Sequence, residues 1–368
     1  MRYYKLKIGM PIVDGVTFET LNVLSLSSEA TTSGFLGTKS VNPTPLQIEF
    51  NVRSFKDIEA SIPATIKIYN LPKGVYKALA GWAKEKPPVT LEAGWNHKYV
   101  MSDALGYKEI KNQIILTGNL QNVFGNFVAL DNYVILTTAL SQPMSEMREY
   151  IKAQSGNQIT EIQAQFEAGK SIKDKVVEYV KLVIADGWKI VLSNGLKSFI
   201  NNNRNSTLFT FSNFNSLMAQ LAINLAVGFA IDAAQSIIRL FIDANSERIP
   251  ADQKEKYKDD WLEDSEPIEI TAADLLVMPE VLGYSNHLSV VTRMRPDIKL
   301  GAIIKIGKSI TSLGGGLAEN PTFTDEGIED LNIINEGEYV VISVNHTGNF
   351  YGKTADSWST QLLVQPKV

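Results

Sequence analysis

Residues 64–95 read ATIKIYNLPKGVYKALAGWAKEKPPVTLEAGW, and this stretch decides the predicted fold. Its two ends alternate apolar and polar side chains with a period of two, which is typical of β-strands. Its middle places Val75, Leu79 and Trp82 at spacings of four and three, the period of a helix. The pair Pro87-Pro88 then ends the helix. The stretch therefore predicts a strand, a helix and a strand at Ala64–Tyr69, Lys73–Lys84 and Val89–Ala93.

The rest of residues 1–140 continues the strand pattern. Short β-rich runs are separated by Pro, Gly and Asn, residues that favour turns. We predict further strands at Leu46–Val52, Gln113–Leu116 and Tyr133–Thr138, and an N-terminal β domain over residues 1–140. Residues 141–170 are rich in Gln, Glu, Ser and Ala, and we predict a connector there.

Residues 171–250 mix helix and strand patterns and are predicted to be an inserted α/β region. A helix capped by Ser171 places five apolar residues on one face and ends at Gly187, and the strand Trp188–Leu192 follows. Next come a strand at Leu208–Phe211, a helix capped by Ser212 or Asn213 and ended by Gly228, and a hairpin. The hairpin strands are Phe229–Asp232 and Ser236–Asp243.

Beyond the insertion the chain returns to the strand pattern. Residues 251–267 are almost wholly charged around Tyr257 and Trp261, which indicates a solvated linker or a surface helix. Residues 268–368 are predicted to form a second β domain, with strands at Leu288–Thr292, Ala302–Ile306, Tyr339–Asn345 and Trp358–Val364. The predicted fold class is therefore α+β: mainly β, with an α/β insertion between two β domains.

The amino-acid composition and the net charge argue against several classes of function. The chain has 368 residues, a formal net charge of −5 and no cysteine. The acidic balance argues against a protein whose main task is to bind phosphate backbones. The lack of cysteine excludes disulfides, thiolate zinc sites and cysteine nucleophiles. The first residues do not follow the pattern of a signal peptide, and five amide or hydroxyl side chains interrupt the longest uncharged stretch, so no membrane span is predicted.

A search for chemical motifs singles out no catalytic, cofactor-binding or metal-ligating residue. Gly307-Lys308-Ser309 resembles the end of a phosphate-binding loop, but Gly301 lies one position too far upstream and no helix follows. No GxSxG elbow occurs. The three histidines lie in separate β-rich segments without a carboxylate at ligand spacing, and no two carboxylates stand out as an acid–base pair. The histidines are His97, His287 and His346, and the carboxylates considered are Glu92, Asp131, Glu269 and Asp274.

Scattered aromatic side chains and two glycosylation sequons complete the candidates. The aromatic residues are spread over all the predicted domains, a distribution typical of core and interface residues rather than of a glycan or base-stacking site. They are Tyr3, Tyr4, Trp82, Trp95, Trp188, Trp261 and Trp358. The sequons at Asn205 and Asn345 would matter only in a secreted glycoprotein.

Four runs, taken in order, resemble the central hub proteins of contractile phage tail baseplates, whose fold also forms the N-terminal part of type VI secretion spike proteins. The runs are Ile66–Leu79 with Val89–Trp95 and Ile115–Val123; Thr207–Ile242; Met278–Ile306, with its Arg-Pro-Asp-Ile-Lys-x-Gly segment; and Val340–Val364, with His346, Gly348, Asn349, Trp358 and Thr360. The loop of residues 27–45 and the amide-rich stretch 201–205 have no counterpart in this resemblance.

The resemblance implies a structural virion protein rather than an enzyme. It implies two barrel-like β domains of the tail-tube type, and a homotrimer whose six domains form a pseudo-sixfold ring. The ring would join the hexameric tail tube to the trimeric central spike at the tail baseplate and would form part of the DNA passage without specific nucleic-acid binding. Further implied partners are other baseplate proteins and the tape measure protein, with assembly in the host cytoplasm and no cofactor.

Two other functions remain open at this point. A tail-associated peptidoglycan hydrolase would need two carboxylates or a metal set facing one cleft. A β-rich receptor or glycan-binding tail protein would need exposed aromatic residues grouped at one end. For a hub, the loops 27–45 and 313–330 are the predicted contact segments, since both are too long to be tight turns.

Overall fold

The structure is a computed structural model, and it describes residues 2–9, 24–28, 34–35, 38–39, 46–56, 64–95, 112–127, 132–140, 162–166, 172–185, 187–202, 207–262, 266–271, 274–277, 279–282, 287–306 and 337–367. Most of the described elements are strands. They are β1 (Arg2–Ile8), β2 (Leu24–Ser27), β3 (Gly34–Phe35), β4 (Thr38–Lys39), β5 (Ile48–Lys56), β6 (Ala64–Tyr69), β7 (Pro88–Trp95), β8 (Gln113–Asn126), β9 (Tyr133–Thr138), β10 (Ile162–Phe166), β11 (Lys189–Leu192), β12 (Thr207–Phe211), β13 (Val227–Asp232), β14 (Ile237–Ile242), β15 (Ile268–Ile270), β16 (Glu280–Leu282), β17 (His287–Arg293), β18 (Ile303–Ile306), β19 (Gly337–Asn349) and β20 (Trp358–Pro366).

Five α-helices occur among the described residues. They are α1 (Lys73–Trp82), α2 (Ile172–Val183), α3 (Asn194–Asn202), α4 (Phe214–Leu225) and α5 (Ala251–Tyr257). Sixteen of the strands belong to one mixed sheet. The predicted mainly β architecture with helices in the middle of the chain is thus confirmed.

Six strands near the N-terminus form a unit that we call the N-terminal module. Their spatial order is β1-β7-β8-β9-β6-β5, and every neighbouring pair is antiparallel. Alternate residues of these strands point into one core, which α1 covers with Val75 and Leu79. The period of two in the sequence places Ile48, Phe50 and Val52 on the buried side, as expected for a half-buried strand.

Six strands near the C-terminus form a second unit, the C-terminal module. Their spatial order is β15-β18-β19-β20-β17-β16. When the strands of each module are numbered along the chain, leaving out the small strands β2 to β4, both modules have the order 1-4-5-6-3-2. The modules differ at the first strand, because β15 pairs in parallel with β18 whereas β1 pairs antiparallel with β7.

A proline follows strand 3 in both modules. Ala64 in strand 3 of the first module lies opposite Thr138, and Leu288 in strand 3 of the second lies opposite Val364. Pro72 lies eight residues after Ala64, and Pro296 lies eight residues after Leu288. Both modules therefore leave strand 3 through a proline turn, where the fixed φ of proline favours a change of direction.

The insertion between the modules has its own core. Strands β13, β14 and β11 extend the sheet from the end of β5, where Ile231 lies opposite Phe55. The buried faces of α2, α3 and α4 pack into a cluster with these strands and with the β10–β12 pair. Helix α3 and strand β10, the latter inside the predicted connector, were not anticipated from the sequence.

The start and the end of helix α4 show which residues set its length. Asn213 caps the helix: its side chain accepts a hydrogen bond from the Ser216 amide (2.8 Å), and the Ser216 hydroxyl accepts one from the Asn213 amide (3.0 Å). The predicted stop at Gly228 is wrong. The helix ends at Ala226, which adopts a left-handed conformation (φ 54°), and Gly228 lies in β13, where a Cβ would be 2.5 Å from the Phe241 ring.

The charged stretch after the insertion, predicted to be a solvated linker or a surface helix, contains helix α5, and the turn that follows packs against the insertion. Trp261 is 3% exposed. The Asp260 carboxylate accepts hydrogen bonds from the amides of Gly195 (2.9 Å) and Ile242 (3.1 Å) and from the Ser193 hydroxyl. Asp260 thereby satisfies an amide in the first turn of α3, which would otherwise lack a partner.

Neither module is closed into a barrel by pairing of the described strands, so the expectation of two barrel-like domains is only partly met. In the N-terminal module β1 and β5 do not share a ladder. Instead the Tyr4 hydroxyl donates to the Leu46 carbonyl (2.6 Å), and the Tyr4 ring packs edge-on against Phe350, with centroids 5.0 Å apart. Side chains thus bridge the gap that backbone hydrogen bonds would span in a closed barrel.

Candidate functional site

The candidate functional site is the junction of the two modules together with the sheet face that crosses it. Strand β19 of the C-terminal module pairs antiparallel with β5 of the N-terminal module, from Ser343 opposite Phe55 to Asn349 opposite Glu49. The register shift next to Ile342 separates this ladder from the part of β19 that pairs with β18. One strand therefore belongs to both the C-terminal module and the junction.

Aromatic side chains hold the buried side of the junction. Phe50 and Trp358 meet edge to face, with ring centroids 5.1 Å apart. The Trp358 indole donates to the Gly94 carbonyl (2.9 Å), and the Trp95 indole donates to the Met294 carbonyl (3.0 Å). Each module thus contributes one indole N–H to a carbonyl of the other, so both polar edges are satisfied within the interface.

Arg2 ties the start of β1 to the turn between β19 and β20. Its guanidinium donates to the carbonyls of Asn349 (2.7 Å), Phe350 (3.3 Å) and Thr354 (3.0 Å) and to the Ser357 hydroxyl (2.8 Å). Partial burial lowers the pKa of Arg2 from its ordinary value. Several donors in a fixed planar geometry make arginine suited to gathering the carbonyls of one turn.

A buried polar cluster lies behind the junction in the C-terminal module. Arg295 forms ion pairs with Asp297 (2.8 Å) and Asp274 (3.0 Å), and its amide donates to the Thr360 hydroxyl (2.9 Å). Burial acts to lower the pKa of Arg295, but the hydrogen bonds and charges of the two carboxylates raise it above its ordinary value. The paired carboxylates make this cluster a structural ion network.

His346 extends this cluster into the junction ladder. It lies opposite Val52 of β5 and is 6% exposed, and its Nδ1 is 2.9 Å from the Thr360 hydroxyl. Burial lowers the pKa of His346 to about 4, and the charge of Asp297 only partly opposes this effect. The imidazole is therefore neutral at neutral pH, as expected for a packed histidine.

The solvent side of the continuous sheet, which we call the outer face, runs from β16 to β8 across both modules. One row, in which each residue is paired with the next across neighbouring strands, crosses seven strands from β17 to β8. Its side chains are mainly uncharged and polar. It consists of Arg293, Ser359, Thr347, Asn51, Thr65, Thr137 and Asn122, of which Ser359 is fully buried and Thr137 is 9% exposed. In the next row Lys67 pairs with Glu49 (3.8 Å) and lies over the rings of Tyr69 and Tyr133. The charged side chains in these two rows are Arg293, Lys67 and Glu49.

Of the candidate residues for chemistry that the structure describes, no three form a cluster. His346 is buried in the junction, His287 lies on β17, and Asp274 is committed to Arg295 and to the amide of Thr271 (2.9 Å). Glu92 lies on β7 and Glu269 on β15. The remaining candidates lie outside the described residues. They are His97, Asp131, Asn205, the Gly307-Lys308-Ser309 run and most of the two predicted contact loops.

The predicted core role of the aromatic residues is confirmed for the most deeply buried ones. Trp358 and Tyr4 are fully buried, and Trp188, Trp261 and Tyr3 are buried as well. The sequon residue Asn345 lies in the junction ladder, where its side chain donates to Gln361 (3.3 Å).

Two clefts lie between described residues near the junction. One of them, lined by residues of both modules and the insertion, has room for about one water molecule. Among the residues that the structure describes, no three His, Cys, Asp or Glu side chains are placed to hold a metal ion. No described helix is long and apolar enough to cross a membrane.

Two exposed apolar side chains at strand edges were not identified from the sequence. Phe124 on β8 is 57% exposed and Leu282 on β16 is 41% exposed. The signal available in the sequence is Phe124 itself, a lone aromatic residue that alternates with Asn122 and Asn126 on one face of a strand. The sequence alone does not reveal that no described strand pairs with residues 121–125 on the side opposite β9.

Comparisons with known proteins give structural neighbours only. No family model matches the chain, and no curated protein matches it. A tail protein from Neisseria meningitidis aligns over 88% of this chain and 96% of its own, with 6% identity and a TM-score of 0.42. A 43 kDa tail protein of the prophage MuSo2 from Shewanella oneidensis aligns over 87% of this chain and 97% of its own, with 8% identity and a TM-score of 0.42. At this level of similarity neither structure assigns a fold or a function to this chain.

Proposed function

We propose that this chain is a structural tail protein that assembles as a homotrimeric baseplate hub. The observation that carries the proposal is the repeated module: one chain contains two sheets of the same strand order, joined edge to edge by the β5–β19 ladder. Three copies of such a chain supply six similar modules. The four sequence runs that resemble baseplate hub proteins support the same function.

The repeat gives a physical reason for a hub to be a trimer. A closed ring of three identical chains has exact threefold symmetry, and its six modules give it approximate sixfold symmetry. One end of the ring can therefore contact a hexameric tail tube with six similar surfaces. The other end can contact a trimeric spike through features that differ between the modules, such as the insertion. Joining the tube to the spike is the proposed task of the protein.

The outer face suits the wall of a DNA passage. The opposite side of the sheet is covered in the N-terminal module by its own strands and by α1, so the outer face is the side that a ring can turn towards its bore. Most of its central row is uncharged, and Lys67 is paired with Glu49. Arg53 and Arg293 are also exposed on this face, so its few charges are on balance basic, and only their small number favours the sliding of DNA past it.

The mass of the assembled protein tests the proposal. Native mass spectrometry and light scattering of the full chain should give three copies, and electron micrographs should show a ring with six similar lobes. A second test is binding to the tail tube protein and the spike protein encoded with it, which should attach to opposite ends of the ring. A protein that stays monomeric up to high concentration would contradict the hub function.

A further inference from the structure

The two modules differ at one strand edge, and this difference points to a partner. Resting on the proposed trimer, we propose that residues 121–125 of β8 form a strand-addition site, which takes one extended strand from each subunit of the trimeric spike. The added strand runs antiparallel to β8 and carries an apolar side chain opposite Phe124. The site occurs once per chain, so a trimeric hub offers three of them.

The C-terminal module shows what such an edge binds. Strand 5 of this module, β19, changes partners at its register shift between Val341 and Ser343. Before the shift it pairs with strand 4 of its own module, β18, and after the shift it pairs with β5 of the N-terminal module, from Ser343 to Asn349. The second half of β19 is therefore an edge that accepts an antiparallel strand from outside its own module.

Strand 5 of the N-terminal module, β8, has the same irregularity. Its register with β9 shifts between Leu120 and Asn122. Before the shift it pairs with strand 4 of its own module, β7, up to Asn119, and the Leu120 amide donates to the Pro87 carbonyl (2.9 Å). Among the described strands, none pairs with residues 121–125 on the side opposite β9. A bulge ends one pairing and redirects the strand, which explains why β7 does not continue along β8.

The part of β8 beyond the shift is accessible to solvent. Asn122, Phe124 and Gly125 are exposed. Because Gly125 has no side chain, its exposure is that of the backbone. Exposed backbone N–H and C=O groups at the edge of a sheet favour pairing with an extended strand of another chain.

Phe124 supplies the side-chain contact of the site. It is 57% exposed and lies opposite the half-buried Ile135 of β9 on the outer face. Counted from the two register shifts, Phe124 corresponds to Asn345, which lies opposite Arg53 in the internal ladder. The partner residue at that place meets an aromatic ring instead of an amide. We therefore expect an apolar side chain there, since such pairs stabilise antiparallel strands.

The occupant is a strand of another protein rather than of a second copy. In a second copy, the strand that corresponds to β5 is β16, which is strand 2 of the C-terminal module. Leu282 of β16 already has a partner within its own chain. Strand β5 itself pairs with β6 on one side and with β19 on the other. The strands that could repeat the internal ladder are thus engaged.

The number of sites favours a threefold partner. A trimer contains six strands in position 5, of which the three β19 strands hold β5 and the three β8 strands have no described partner beyond the shift. The approximate sixfold symmetry of the modules is therefore reduced to threefold symmetry at this edge. A trimeric spike can fill the three sites with equivalent strands, whereas a hexameric tube presents six.

Hydrogen exchange tests strand addition directly, with the spike protein encoded with this chain as the probe. The amides of residues 121–125 should exchange fast in the wild-type hub alone and at least roughly tenfold more slowly after the spike is added, because backbone pairing protects them. Residues 113–119, which already pair with β7, are the internal control and should be protected with and without the spike. The complex should contain three spike subunits for three hub chains.

A charge at the edge tests the side-chain contact. Phe124→Asp should weaken binding of the spike by at least roughly tenfold and leave the mass of the hub unchanged. Ile114→Asp is the matched control, because Ile114 is also exposed on β8 but lies where β8 pairs with β7. This control should leave binding unchanged. Circular dichroism of both variants would check that the fold is intact.

The outcomes separate this inference from the proposed function. A wild-type trimer that binds the spike without protection of residues 121–125, or in which these residues are protected before the spike is added, would overturn the strand-addition site and leave the hub proposal standing. Normal spike binding by Phe124→Asp would contradict the apolar contact. Protection by the spike in a hub of another copy number would support the site and contradict the trimer. A monomer that does not bind the spike would overturn both.

Discussion

Gly348 of β19 lies directly opposite Phe50 of β5, and the Phe50 ring occupies the space that a side chain at position 348 would need. A Cβ built on Gly348 would be 2.3 Å from the Phe50 ring and 2.8 Å from the Trp358 ring. The junction of the modules therefore depends on the absence of a side chain at one position of the ladder, where glycine lets two aromatic rings approach the backbone.

Gly348→Ala should destabilise the protein by about 1–3 kcal/mol, because the added methyl group overpacks the junction. Chemical denaturation monitored by tryptophan fluorescence would measure the change. Gly74→Ala is a matched control, since a Cβ at Gly74 in α1 meets no atom within 4 Å. This control should be neutral or slightly stabilising. Equal losses in both variants would contradict the overpacking argument.

His346 should make the stability depend on pH in the mildly acidic range. Its pKa falls from 6.5 in the unfolded chain to about 4 in the fold, so the unfolded chain binds a proton first as the pH decreases. The stabilisation is complete above pH 6.5 and is lost between 6.5 and 4, amounting to about 3 kcal/mol in total. Denaturation midpoints measured across this range would show the loss.

His346→Gln should flatten that part of the pH profile, because the titrating group is removed. His287→Gln is the matched control at a partly buried position of β17, and the loss of stability between pH 6.5 and 4 should persist in this variant. Neither substitution should abolish assembly except through packing. A histidine variant that assembled normally but lost a catalytic activity would contradict the structural function.

Arg2→Ala should loosen the turn after β19. The substitution removes every hydrogen bond that the guanidinium donates to this turn, and hydrogen bonds of charged donors contribute about 1.5–3 kcal/mol when buried, less at partly exposed sites. Hydrogen exchange should accelerate in residues 349–357 and little elsewhere. Lys7→Ala, at an exposed position of the same strand, serves as the control and should leave this exchange unchanged.

Arg295→Met should be among the most damaging single substitutions in the C-terminal module. It leaves Asp274 and Asp297 without their buried cation, which typically costs about 3–5 kcal/mol. Arg295→Lys should rescue little, because Asp297 accepts from two guanidinium nitrogens (2.9 and 2.8 Å) and an ammonium cannot reproduce that geometry. Thermal unfolding would measure both, with the exposed Arg293→Met as a control expected to show little change.

Local sequence patterns predict single elements well because the physics behind them is local. Ala64–Tyr69 and Tyr133–Thr138 form strands with the predicted ends. The predicted helix at Lys73–Lys84 is α1, which passes into a 3-10 turn at Ala83. Errors occurred where a contact distant in sequence decides. Position 228 needs glycine because the Phe241 ring across the hairpin fills the space of a side chain, and not because a helix ends there. Helix α3 begins where the Asp260 carboxylate accepts a hydrogen bond from an amide of its first turn.

The sequence by itself determined the strand and helix periods, the absence of cysteine chemistry and the resemblance on which the hub proposal first rested, because each of these depends on residue identity and short spacings. Only the tertiary structure decided the equivalence in strand order of the two modules and the junction through β5 and β19. Strand order and register arise from backbone pairing between residues up to about 300 positions apart, such as Glu49 and Asn349. No local sequence pattern predicts which strands pair, because each pairing depends on where the other strands of the sheet lie.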